Sequence, residues 1–96
     1  MNGLRLHIVS PEREIFSGEV TSVTLPGVMG EFVILYGHAP IVSVLAAGNV
    51  SYEPTAGDGA QTLAIDGGFV EQNNNEATVC VELSVQHKNV QNEKNQ

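Results

Sequence analysis

The sequence predicts an all-β fold, a sandwich or flattened barrel, and three observations carry that expectation. Thirteen valines, five isoleucines and five threonines make 23 of the 96 residues β-branched. Such side chains are stiff at χ1 and fit a pleated surface better than a helix. Ten glycines and four prolines punctuate the chain at short intervals, as turn residues do. Apolar and polar residues also alternate with a period of two in several short stretches.

The elements follow in order. Leu4, Leu6 and Ile8 alternate with Arg5, His7 and Val9, a half-buried strand that Ser10-Pro11 ends. Glu12 and Glu14 flank Arg13 and at strand spacing point the same way from an exposed edge. Ser17-Gly18 reads as a turn between strands. Val20 to Leu25 is the next strand, with Val23 and Leu25 on one face, and Pro26-Gly27 is a turn signal. Phe32 to Leu35 is a continuous apolar run, consistent with a strand covered on both sides. His38-Ala39-Pro40 breaks it. Ile41 to Ala46 is apolar apart from Ser43, and Gly48 turns the chain into Val50 to Glu53. Pro54 to Gly59 is a hairpin tip. Gln61 to Asp66 alternates again with Leu63 and Ile65 inward, and Gly67-Gly68 suggests a bulge or a close backbone approach. Phe69 to Glu71 follows, and Asn73-Asn74-Asn75 is a turn, because Asn tolerates the left-handed region. The clearest strand is the last: Ala77, Val79, Val81, Leu83 and Val85 share one face, and Thr78, Cys80, Glu82, Ser84 and Gln86 the other.

Ninety-six residues make one domain. A chain this size buries about 60–65% of the surface that its unfolded form exposes, which leaves little room for a large cleft. The domain is expected over residues 1–83. Residues 84–96 read as a polar, disordered tail, since six of these 13 are Asn or Gln and only Val85 and Val90 are apolar.

Composition excludes several partners. The net charge is −7, and only four residues are Lys or Arg, so phosphate-rich nucleic acid is a poor ligand. No apolar run approaches the ~18 residues of a membrane-spanning helix, and no secretory signal opens the chain, so a soluble protein without direct membrane insertion is expected. The single cysteine, Cys80, cannot form an internal disulfide. It reads as a small semi-buried filler, with no cationic residue within two positions to activate it.

The motifs of common chemistries are missing. His7, His38 and His87 show no metal-ligand spacing, so no metal is expected. Gly27-Val28-Met29-Gly30 has no lysine after it and is a turn, not a phosphate loop. None of the six serines sits in Gly-x-Ser-x-Gly. Glu12 and Glu14 read as a solvated face. The segment Leu25 to Pro40 stands out instead: rigid turns flank an apolar run and a loop with His38, the pattern of an interaction loop. His38 itself is either tied to backbone carbonyls or a protein contact.

Four blocks in this order carry a resemblance. They are Ile8-Val9-Ser10-Pro11-Glu12-Arg13-Glu14-Ile15-Phe16-Ser17-Gly18-Glu19-Val20; Leu25-Pro26-Gly27 with Gly30-Glu31-Phe32; Gly37-His38-Ala39-Pro40 with Leu45 and Gly48; and Gly67-Gly68-Phe69-Val70-Glu71 with Ala77-Thr78-Val79. Together they span residues 4–83 and resemble the N-terminal domain of the epsilon subunit of F-type ATP synthase, whose mitochondrial counterpart is called delta. The resemblance implies a flattened two-sheet sandwich of about ten short strands. It implies a non-catalytic rotor subunit of the central stalk that binds the gamma subunit and the polar loops of the c-ring. Such a subunit acts only indirectly on the catalytic alpha/beta assembly and needs no cofactor. Carried over by position, Glu31, Phe32, His38, Ala39, Pro40 and Ser10 are the expected partner contacts, with Glu31 first for the c-ring and Ser10 near gamma. The location implied is the cytoplasmic face of a bacterial inner membrane, peripherally, within the complex. Family members commonly continue as a two-helix hairpin that can inhibit hydrolysis or bind ATP. This sequence shows no helical repeat after residue 83, so the reading includes no hairpin and no ATP site. Tyr36 stands where the family often has Pro. The alternatives are a stand-alone β-sandwich binding module for a peptide or carbohydrate, for which two Tyr, three Phe and no Trp offer a thin aromatic groove, and a small hydrolase built on His38.

Overall fold

The β-branched, turn-punctuated stretches form strands throughout a computed structural model that describes residues 3–57 and 59–84. Seven strands run in order: β1 (Leu4–Val9), β2 (Glu14–Gly27), β3 (Gly30–Leu35), β4 (Ile41–Leu45), β5 (Gly48–Pro54), β6 (Gln61–Asn73) and β7 (Glu76–Leu83). The described residues contain no helix. Beyond Ser84 the expected tail lies outside the described residues, as do His87 and the Asp58 of the hairpin tip.

The strands make a sandwich because two of them serve both layers. One layer holds β4, the second half of β6, β7, β1 and the first half of β2. The other holds β3, the second half of β2, β5 and the first half of β6. Around the ring β1–β7–β6–β5–β2 the pairings close on themselves; β3 hangs outside it on β2, while β4 pairs along β6 and also meets β2 at Leu45 and Gly27. β1 and β7 pair in parallel and every other pairing is antiparallel.

The strand count corrects the expectation of about ten. Ser17 and Gly18, read as a turn, lie inside β2 opposite His7 and Leu6. Gly67 and Gly68 lie inside β6, where the register slips between Ile65 and Gly67, the bulge that the glycine pair suggested. A second slip falls between Val20 and Ser22 of β2. Each slip inserts one residue, which reverses side-chain parity. Val20 is buried on even parity, and Val23 and Leu25 on odd; Ile65 is buried on odd parity, and Val70 and Gln72 on even. The bulges thus let a long strand change layers while keeping its apolar side inward.

The core lies between the layers. Leu4, Leu6 and Ile8 of β1 meet Val20, Val23 and Leu25 of β2, with Ala77, Val79 and Val81 of β7, all buried. The alternation predicted for β1 and, through Leu83, for β7 is the alternation found, while Val85 and Gln86 lie outside the described residues. β3 differs from the expectation of two-sided cover: Ile34 is buried and Phe32 half-buried, but Val33 and Leu35 face solvent. Among the described residues β3 pairs only with β2, as an edge strand, so a single layer covers it.

Candidate functional site

One outer face of the sandwich carries more apolar surface than a solvated sheet needs. The register aligns Val44 of β4 with Phe69 of β6, Phe69 with Cys80 of β7, and Cys80 with Val9 of β1. All four point away from the core, because their strand neighbours Leu45, Val70, Val79, Val81 and Ile8 are buried. Val42 is 74% exposed, Val44 59% and Phe69 47%. One step along the strands, Glu71, Thr78, His7 and Ser17 continue the face as a polar row. There His7 Nε2 lies 3.2 Å from Glu76 Oε2, and Ser17 Oγ lies 3.1 Å from His7 Nδ1.

At the end of the apolar row the face sinks into a groove of about 540 Å³. Val9, Ser10, Pro11, Gly68, Phe69 and Cys80 are among the residues lining it. Gly68 allows this shape: a Cβ there would strike the carbonyl oxygen of Cys80 and come within 3.0 Å of the Val81 Cα, so only glycine lets β6 lie this close to β7. Ser10 forms the groove wall and closes the β1–β2 connection. Its hydroxyl donates to the Arg13 carbonyl at 3.2 Å and accepts from the Arg13 N–H at 3.3 Å, and its own N–H bonds the same carbonyl at 2.9 Å.

The predicted contact residues do not converge on one spot. Glu31 and Phe32 follow the β2–β3 hairpin, whose tip holds Val28 and the 96%-exposed Met29. The tip is fastened to β4 by the Val28 N–H on the Val44 carbonyl, which places it beside the apolar row. Glu31 is exposed and, among the described residues, makes no ion pair. Phe32 turns the other way and packs on the core. His38, Ala39 and Pro40 lie past the opposite end of β3, so about 13 Å of strand separates them from Glu31 at ~3.3 Å per residue. The His38 ring is tied to backbone, with Nδ1 2.6 Å from the Ala39 carbonyl.

Ser17, His7 and Glu76 line up as a hydroxyl–imidazole–carboxylate chain, but on an exposed strand face and not in the groove. Among the described residues no three His, Cys, Asp or Glu side chains come together as metal ligands, and no helix is long and apolar enough to cross a membrane. Phe16 and Tyr52 pack with ring centroids 4.6 Å apart, and burial pushes the Tyr52 hydroxyl pKa above its ordinary 10.0.

Sequence reasoning missed the apolar row and Met29. The signal was the run Ile41 to Ala46: a strand with one covered side should alternate, and this one does not, so the surplus has to lie outside.

Comparison with known proteins adds the context. Residues 3–87 match the family described as ATP synthase, Delta/Epsilon chain, beta-sandwich domain. The ATP synthase epsilon chain of Wolinella succinogenes is 46% identical over 71 residues, covering 74% of this chain and 53% of the relative. That of Helicobacter pylori strain P12 is 39% identical over 82 residues, covering 85% of this chain and 65% of the relative. The chain therefore spans about half to two-thirds of the length of these relatives. Among solved structures, a chain of the Euglena gracilis mitochondrial ATP synthase superposes with a TM-score of 0.77 at 24% identity, over 84% of this chain and 51% of that one. A chain of the Tetrahymena thermophila mitochondrial ATP synthase central stalk and c-ring gives 0.68 at 19%, over 96% and 72%. At those identities the likeness speaks for the fold.

Proposed function

The chain belongs to the ATP synthase delta/epsilon-chain family, and from that premise we propose that it is a non-catalytic rotor subunit of the central stalk of an F-type ATP synthase. In this reading it binds the gamma subunit and the polar loops of the c-ring, and so helps couple proton flow to ATP synthesis in the catalytic alpha/beta assembly. It works at the cytoplasmic face of a bacterial inner membrane, held there by the complex rather than by a span of its own.

The observation that carries the reading is the apolar row Val44–Phe69–Cys80–Val9 with its groove. A face of this kind, rimmed by polar residues, marks a protein interface. It lies on the layer that also presents Ser10, so gamma is the partner assigned to it. The −7 charge favours basic protein surfaces and steers their approach. An exposed Glu31 beside the Met29 tip suits a basic group on a c-ring loop as a charge-assisted contact.

The test is Glu31→Lys in the assembled rotor. Attachment to the c-ring should weaken by at least about tenfold, because bringing like charges together across an interface costs up to several kcal/mol. The melting temperature should stay within about 2–4 °C, because an exposed hairpin position contributes about 0.5 kcal/mol or less. Ring attachment equal to that of the unsubstituted chain would remove Glu31 from the interface.

A further inference from the structure

We propose that Asn75 and Gln72, at the β6–β7 turn, are positioning residues that hold the 36–40 loop in the shape its partner binds; this rests on the reading of His38, Ala39 and Pro40 as contacts. Neither side chain is itself presented to a partner. Each turns one polar side-chain atom onto the loop.

The loop carries little structure of its own. Leu35 to His38 form one turn, closed by the His38 N–H on the Leu35 carbonyl at 3.1 Å. Gly37 sits third in that turn with φ +87°, the left-handed conformation of a type II turn. Beyond His38 the chain crosses between layers with no ladder until Ile41. Two side chains of another hairpin fasten the crossing. The Asn75 side-chain oxygen accepts the Gly37 N–H at 2.6 Å, and the Gln72 Nε2 donates to the His38 carbonyl at 3.4 Å.

Each residue has features that a turn or a core alone would not require. Asn74 and Asn75 both have positive φ, at 52° and 61°, as the central residues of a type I′ hairpin turn. Glycine is the residue most at home at the second position, yet only a side-chain oxygen can reach Gly37. The Asn75 carbonyl also accepts the Arg5 N–H at 2.9 Å, so one residue ties the loop, the β6–β7 turn and the start of β1. Gln72 is 1% exposed on the inner face of β6, where its cross-strand partners are Ala77 of β7 and Ile41 of β4. Its Oε1 has no hydrogen-bond partner among the described residues. An amide buried with an orphaned acceptor is poorer core filling than leucine, and the one bond it makes goes to the loop.

The test compares three variants with His38→Ala as the control for the contact reading. Asn75→Gly keeps the left-handed backbone and removes the oxygen; Asn75→Asp keeps both; Gln72→Leu fills the same space and removes the donor. Amide exchange of Gly37 is read on the isolated chain, and affinity for a rotor of cognate gamma subunit and c-ring is read in the complex. Asn75→Gly and Gln72→Leu should each lower rotor affinity about fivefold, the weight of one hydrogen bond on the population of the competent loop. Asn75→Gly should speed Gly37 exchange by a similar factor. The melting temperature should not fall in either, and Asn75→Asp should retain exchange protection and affinity. Unchanged Gly37 exchange in Asn75→Gly would overturn the proposal. So would unchanged rotor affinity in Asn75→Gly and Gln72→Leu while His38→Ala weakens it, which leaves the contact reading standing. If His38→Ala also binds as well as the unsubstituted chain, the contact reading falls and the positioning role falls with it.

Discussion

Gly37 shows how much a single residue can settle. Its φ of +87° places a type II turn at Leu35–His38, and that turn favours proline at its second position, here Tyr36. Tyr36→Pro should raise stability by about 0.4–1 kcal/mol, because the ring removes freedom only from the unfolded chain and Leu35 is already extended. Gly37→Ala should lower it by about 1–2 kcal/mol through left-handed strain; urea titration of both variants reads the two signs. Tyr52 gives a pH signature. Its folded pKa lies above the unfolded 10.0, so both states are protonated below pH 10, and above it the unfolded state ionises first. Stability should therefore fall as pH rises from about 10, and Tyr52→Phe should lose part of that fall in melting curves taken between pH 9 and 11. Residue chemistry of this kind was partly legible in the sequence. The Asn73–Asn75 turn and the Gly67-Gly68 bulge could be read because few residue types tolerate those backbones. The clamp on Gly37 could not, since 38 residues separate its partners and no local pattern encodes such a pairing.

β2 and β6 carry the architecture. Alternation predicted β1 and β7, whose inner faces never switch, but it fragmented β2 and β6, whose parity reverses at a bulge. Ser17-Gly18 looked like a turn because Gly18 opposes Leu6 within a ladder that only the third dimension reveals. Deleting Thr21 should remove the extra residue at the β2 slip and force either Val20 or the pair Val23 and Leu25 outward. The variant should fail to fold or lose several kcal/mol, on the scale of about 1.5–3 kcal/mol per exposed core side chain. Leu6→Ala is the milder probe of the same layer. It sits between Gly18 and Ala77, small residues that cannot collapse into the space, so about 3–5 kcal/mol should be lost in chemical denaturation.

At the scale of the whole molecule, a closed ring of five strands, with β3 and β4 beside it, gives an acidic body and an apolar outer face on the layer of β4, β6, β7 and β1. Length and charge excluded nucleic acid and spanning helices from the sequence alone. The apolar face emerged only with the register, because Val9, Val44, Phe69 and Cys80 lie far apart in the chain and align across four strands. The proposed role depends on that face meeting gamma. Co-purification of the full chain with its cognate gamma subunit, beside Phe69→Glu, tests it most directly. A one-to-one complex should form, and the variant should lose at least tenfold in affinity with its melting temperature unchanged, as expected for a central interface aromatic. A chain that does not co-purify with gamma, or a Phe69→Glu variant that binds as tightly as the parent, would contradict it.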